Sequence, residues 1–198
     1  MEFISLTGQL RPDTGKTASK SLRREGQIPC VLYSAKELVH FATTPQQVKN
    51  LIYTPDFHVA HLQIGENTYK CIVKDYQLHP LTNDLVHIDF LQLVDGQPIK
   101  LEVPVRVKGQ SPGVKVGGKL VQKMRRVKIK TTPEFLVDQL MLDISSLELG
   151  QSLRVRDIST EKGIEIMSSP GIPVATIEIP RALRSATAAA EKESGKKK

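Results

Sequence analysis

Leu101, Val103, Val105 and Val107 alternate with Glu102, Arg106 and Lys108. A period of two buries one face of an extended strand and wets the other, so this segment needs a sheet with a core on one side. Runs of strand length recur throughout: residues 2–10, 28–33, 38–43, 58–64, 69–78 and 85–94 before it, and 127–130, 140–144, 152–155 and 174–179 after it. Gly, Pro or polar turns separate most of them, and no long stretch carries a strong helical period. The expected fold is therefore mostly β, largely antiparallel in its first half. Pro104 inside its run predicts an edge strand.

Two short helices are expected. Thr17 or Ser19 caps a basic one carrying Lys20, Leu22, Arg23 and Arg24, which Gly26 ends in the left-handed conformation. Thr44-Pro45-Gln46-Gln47 reads as a capping box with Pro at the first helical position, opening a helix through Val48, Leu51 and Ile52.

The chain's 198 residues suit two small domains. The polar interruption Val94-Asp95-Gly96-Gln97-Pro98 sets the expected division: a first domain over 1–94, a second β-rich domain over 95–180, and a flexible basic tail over 181–198. The tail is built from Ala, Ser, Lys, Glu and Arg, too few apolar groups to offset the entropy of ordering. Hydrophobic residues make up 39% but aromatics only 5%, with no Trp, so the cores must be aliphatic. No apolar run is long enough for a membrane span, and Met1-Glu2-Phe3-Ile4-Ser5 has neither the basic head nor the apolar centre of a signal peptide. Cytoplasmic residence without a membrane partner is the expectation. Cys30 and Cys71 form no C-x-x-C pair, so neither a disulfide framework nor a four-ligand zinc site is expected.

The net charge of +7 is uneven. Lys and Arg number 9 against 10 Asp and Glu over residues 1–95, 13 against 9 over 96–180, and 6 against 2 over 181–198. Arg11, Lys16, Lys20, Arg23 and Arg24 stand against Asp13 alone. Between Glu102 and Glu134 come Arg106, Lys108, Lys115, Lys119, Lys123, Arg125, Arg126, Lys128 and Lys130 with no acidic residue. Such concentrations attract phosphate without sequence-specific contacts, or they are solvated faces. Alternating strand residues point in opposite directions, so these nine charges cannot all share one surface.

Thr14-Gly15-Lys16-Thr17 looks like the end of a phosphate-binding loop, but Leu10 stands where its first glycine belongs and Gly8 is too far back, so nucleotide hydrolysis is set aside. His79, His87 and Asp89 are the one set with the inventory of a metal-dependent hydrolase. His87 and Asp89 share a strand face, and His79 ends the strand before. The alternatives are a buried or capping histidine pair and a polar binding surface.

The residues Gly15-Lys16-Thr17-Ala18-Ser19-Lys20-Ser21-Leu22-Arg23-Arg24-Glu25-Gly26-Gln27-Ile28-Pro29-Cys30-Val31-Leu32-Tyr33 resemble the opening signature of the bacterial large-subunit ribosomal proteins that bind 5S ribosomal RNA. Lys74-Asp75-Tyr76-Gln77-Leu78-His79-Pro80 and His87-Ile88-Asp89-Phe90 resemble that family's later signatures, in order. Residues 99–179, with Val103-Pro104-Val105, Gly113-Val114-Lys115-Val116-Gly117-Gly118 and Leu147-Glu148-Leu149-Gly150-Gln151-Ser152-Leu153, resemble the second domain of the long form, the general stress protein Ctc type. Departures are Ser34 where many members have Gly, Ser21 where a basic residue is frequent, and a basic tail where some long forms end acidic.

The resemblance implies a β-barrel with short helices, then a second β-rich domain, and a structural ribosomal constituent with no catalysis, cofactor, metal or small-molecule substrate. Its partners would be 5S ribosomal RNA, at the loop E region, and the surrounding large subunit with its RNA and neighbouring proteins. By motif position the RNA contacts fall on Arg11, Lys16, Ser19, Lys20, Arg23, Tyr33, Gln77, His79, His87 and Asp89. The basic residues would neutralise phosphates and Tyr33 would stack or donate its hydroxyl. Asp89, repelled by phosphate, would accept from a base donor or orient a basic neighbour while His87 donates. The rivals are a stress-associated interaction protein acting off the ribosome and the hydrolase using His79, His87 and Asp89.

Overall fold

In the computed structural model, residues 3–34, 38–160 and 163–180 are described. The basic tail expected over 181–198 and residues 35–37, in the polar connection that would join the runs 28–33 and 38–43 as a hairpin, lie outside the described residues. The chain folds as two compact units, Met1–Leu101 with Thr131–Asp138, and Glu102–Lys130 with Gln139–Lys198. Both are β-rich, as the alternating runs predict.

The first unit carries β1 (Phe3–Leu10), α1 (Lys16–Arg24), β2 (Ile28–Tyr33), β3 (Leu38–Thr43), α2 (Pro45–Ile52), β4 (Val59–Ile64), β5 (Asn67–Leu78) and β6 (Leu85–Gln92). Its strands close into a barrel in the order β1-β3-β2-β6-β5-β4. The antiparallel expectation holds for four ladders. Parallel ladders of β1 with β4, where Phe3 meets Val59 and Gly8 meets Ile64, and of β2 with β6 make the remaining two. Parallel neighbours need a crossover, which is invisible to local sequence reading. Gly65, at φ 60°, and Glu66 form the two-residue turn joining β4 to β5.

Inward residues fill the barrel: Leu6, Leu32, Phe41, Leu62, Ile88 and Phe90 are fully buried. The Phe41 and Phe90 rings lie 5.6 Å apart. Gly8 makes room for them, since a Cβ there would come within 2.7 Å of Phe41 Cδ2. Helix α2 adds Val48, Leu51 and Ile52 to this core.

The capping box expected at 44–47 does not form; Thr44 makes no side-chain cap bond. The Gln47 amide is used on the barrel instead. Its Nε2 donates to Thr7 Oγ1 (2.6 Å), and its Oε1 accepts from Thr43 Oγ1 (2.9 Å) and the Thr7 N–H (3.3 Å). An amide that satisfies both its ends on two strands gains more than one reaching back to a helix terminus.

A four-stranded sheet ordered β10-β7-β9-β12 comes from β7 (Ile99–Lys108), β9 (Arg126–Thr131), β10 (Leu140–Asp143) and β12 (Glu165–Ile166), which lie in the second unit except for Ile99–Leu101 and Thr131. A three-stranded sheet ordered β11-β13-β8 comes from β8 (Lys119–Gln122), β11 (Ser152–Arg154) and β13 (Pro173–Glu178). Strand β7 is interior, so the edge position expected from Pro104 is not found. The parallel ladder with β10 begins only at Val105, whose N–H turns the other way to the Arg125 carbonyl (2.9 Å). Pro104 thus sits beyond the ladder that its missing N–H would have joined. The one-turn helix α3 (Pro112–Lys115) follows Ser111, whose hydroxyl oxygen accepts from the Gly113 N–H (3.1 Å) while the hydroxyl donates to the Leu147 carbonyl.

Candidate nucleic-acid interface

Because Leu32, Ile88 and Phe90 point into the barrel, the alternate residues on β2 and β6 point out. Register then assembles one outer surface. Val31 lies beside His40 on one side and Asp89 on the other, Tyr33 beside Leu91, Asp89 beside Asp75, and Gln77 opposite His87. Between Val73 and Asp75 the β5 register shifts, a bulge that re-aims Lys74. Its ammonium stands 5.1 Å from the centre of the Tyr33 ring, a cation–π contact that holds the ring on the surface.

Helix α1 crosses this surface on two tethers. The Arg23 Nε–H donates to the Val86 carbonyl (3.1 Å), and Arg11 Nη2 donates to Ser19 Oγ (3.3 Å) and to the Asp13 carbonyl (3.4 Å). The Arg11 backbone N–H donates to the His40 carbonyl at 3.0 Å. The helix begins at Lys16 with Gly15 as its cap residue, so Thr17 and Ser19 lie inside it and do not cap it. Ser19 is spent on Arg11 instead. At the other end Gly26, at φ 76°, behaves as expected: Gln27 N–H reaches Leu22 O (2.9 Å) and Gly26 N–H reaches Arg23 O (3.2 Å), the six-to-one and five-to-two pair of a Schellman ending. Lys16, Lys20, Arg23 and Arg24 fall at i, i+4, i+7 and i+8, one exposed stripe, while Ala18 and Leu22 are half-buried.

His87 Nδ1 and Asp89 Oδ1 are 3.5 Å apart, with side chains 24% and 22% exposed. Burial pushes the His87 pKa below 6.5; the Asp89 carboxylate works against that shift, and the charges of Arg23, Arg11 and His40 reinforce it. His87 is accordingly neutral at pH 7, and its neighbour's carboxylate favours the tautomer with hydrogen on Nδ1. Nε2 is left as an acceptor, whereas the residue pattern alone had His87 donating.

His79 is not part of this group. Its Nδ1 accepts from the Leu81 and Thr82 N–H groups (3.4 and 3.3 Å), and its backbone N–H donates to the Asp84 carbonyl (2.8 Å), so it organises the β5–β6 loop. Among the described residues no three His, Cys, Asp or Glu side chains gather as a metal site, and His79, His87 and Asp89 do not form one. The structure therefore links Arg11, Ser19, Arg23, His87 and Asp89, sets Tyr33 and Gln77 beside them through strand register, and carries Lys16 and Lys20 on the tethered helix. Sequence reasoning missed His40 and Lys74. His40 was readable from the register of the 28–33 and 38–43 hairpin; the bulge that turns Lys74 onto Tyr33 left no sequence signal.

Residues 6–90 match the model of the ribosomal L25p family, and residues 98–181 match that of the C-terminal domain of ribosomal protein TL5. The class of protein is thereby a ribosomal one. Large ribosomal subunit protein bL25 of Amoebophilus asiaticus is 41% identical over 198 residues, the whole of both chains. That of Porphyromonas gingivalis is 40% identical over 94% of this chain and 97% of its own, and that of Cytophaga hutchinsonii 40% over 98% and 100%. The chain belongs to the bL25 family of bacterial large-subunit ribosomal proteins, which are structural and not enzymatic.

Proposed function

We propose that the chain is a structural constituent of the large ribosomal subunit, resident on the cytoplasmic ribosome, and that the outer face of its barrel binds 5S ribosomal RNA at the loop E region. In this reading residues 1–94 are the RNA-binding domain, 95–180 a second β-rich domain and 181–198 a basic tail. Regular duplex RNA hides its bases in a narrow major groove, so proteins grip phosphate and 2′-hydroxyl groups and read bases where irregular pairing opens the groove. Lys16, Lys20 and Arg11 suit phosphate; Ser19 and Gln77 suit 2′-hydroxyls and base edges; Tyr33 suits stacking; His79, through Nε2, suits the rim.

The observation that carries the reading is the half-buried His87–Asp89 pair, with the charges of Arg11 and Arg23 acting on His87. A surface built only for charge would exclude a carboxylate there, whereas one reading base edges needs an acceptor held among donors. Hydroxyl-radical footprinting of the purified chain on isolated 5S RNA tests it. Protection confined to loop E is expected; uniform protection along the RNA, or none, would overturn the assignment. Cosedimentation with large subunits at moderate salt separates it from an interaction protein acting off the ribosome.

A further inference from the structure

The second unit answers the question left by its acid-free stretch. Strand register disperses most of those nine cations. Lys128 pairs with Glu102 and Lys130 with Glu165, each at 3.5 Å, while Lys119 stands opposite Glu178 and Lys108 beside Asp143. The charge that stays concentrated is in the connector from β8 to β9 and the first residue of β9, where Lys123, Arg125 and Arg126 are all exposed. Among the described residues no carboxylate pairs with any of the three.

This connector is also rigidly held. Gln122 Nε2 donates to the Val105 carbonyl (2.9 Å) and to the Met124 carbonyl (3.2 Å). The Lys123 and Met124 N–H groups both donate to the Val174 carbonyl (2.8 and 3.3 Å), and the Arg125 carbonyl accepts from Val105 N–H (2.9 Å). Three strands thus fix a four-residue tip whose outward groups are one ammonium and two guanidiniums. Fixing the backbone beforehand removes part of the ordering cost of binding.

We propose that Lys123, Arg125 and Arg126 form a second phosphate-gripping site, and that its ligand is the backbone of large-subunit RNA outside the 5S molecule. Guanidinium forks match phosphate oxygens in pairs, and an ammonium adds a compact charge. A protein partner would ask for an apolar centre, and the connector offers only the half-buried Met124. On the proposed reading the first unit takes the 5S molecule, which leaves the rest of the subunit's RNA for this tip. That the tip grips ribosomal RNA rests on family membership, and only the choice of RNA outside the 5S molecule rests on the 5S reading, so the two fail separately in the two arms of the test.

The test uses the full chain and its K123A/R125A/R126A variant, rebound to large subunits stripped of the protein and, in parallel, to isolated 5S RNA. On stripped subunits the slope of log affinity against log salt falls by roughly two to three in the variant, about 0.7 to 0.9 for each phosphate that is no longer neutralised. On 5S RNA alone the variant matches the wild type. An unchanged slope on subunits, or an equal fall on 5S RNA, overturns the proposal. A photocrosslinker placed at Lys123 gives an adduct with the large ribosomal RNA; adducts with protein alone overturn it as well. Should the wild type fail on 5S RNA while the variant still shows the reduced slope on subunits, the barrel reading falls and this one stands.

Discussion

The Arg23 Nε–H donates to the Val86 carbonyl oxygen at 3.1 Å, tying helix α1 to strand β6 next to His87. The Arg23 guanidinium in the basic stripe is thus a tether as well as a charge, unlike the ammonium of its neighbour Lys20. Lys20→Ala should lower the salt slope of 5S binding by the equivalent of about one neutralised phosphate. Arg23→Lys, which keeps the charge but removes the planar fork, should leave the slope intact and weaken affinity about fivefold, the equivalent of ~1 kcal/mol for one hydrogen bond. Titrations at several salt concentrations separate the two.

Asp89→Asn removes a negative charge from the surface proposed to face RNA, and on charge alone it should tighten binding. The geometry predicts the opposite, a loss of about tenfold, because the carboxylate holds His87 and accepts from donors. The same substitution removes the one influence raising the His87 pKa, so its imidazole should titrate at still lower pH by NMR.

His87 also predicts a pH dependence of stability. Its folded pKa lies below the ordinary 6.5, so the unfolded chain binds more protons as pH falls. The stability that neutral His87 contributes is complete above pH 6.5 and is lost as pH falls through the lower folded value. Urea midpoints between pH 7 and pH 5 should decline more steeply for the wild type than for His87→Gln; parallel curves would remove His87 as the cause.

Both thiols are buried and neutral. Burial drives Cys71 up to about 12 and Cys30 higher still, the latter partly countered by Arg11. The native chain should therefore resist a thiol reagent such as Ellman's at pH 8, and both cysteines should react in denaturant.

Gly8→Ala should cost about 1–3 kcal/mol, measured by urea unfolding, because the added methyl meets the Phe41 ring at 2.7 Å inside a closed core. An unaltered midpoint would mean that the ring moves aside freely.

Much of this molecule was legible in its residues. Period-two runs located most strands, Gly26 ended its helix as expected, and the signatures around Lys16, Gln77 and His87 led to the family. What stayed hidden depends on long-range pairing. Nothing local to Gln47 says that its amide prefers Thr7 and Thr43 to its own helix terminus, because those partners arrive through barrel closure. Ser19 likewise reads as a cap until Arg11 is brought to it. Pro104 reads as an edge until β10 is seen to start one residue later.

Closing the barrel through β1 and β4 has a consequence for synthesis on the ribosome. The amino-terminal strand, made first, gains its parallel neighbour only once residue 64 has been translated, and the last gap is filled when Gln92 follows. Pairings so distant in sequence form slowly, after their loop-closure entropy has been met. A nascent chain must therefore hold Phe3–Leu10 unpartnered on one side until Ile64 has cleared the exit tunnel, and β2 and β5 each unpartnered on one side until Gln92 follows, so the closed barrel arrives in one late step and not by degrees.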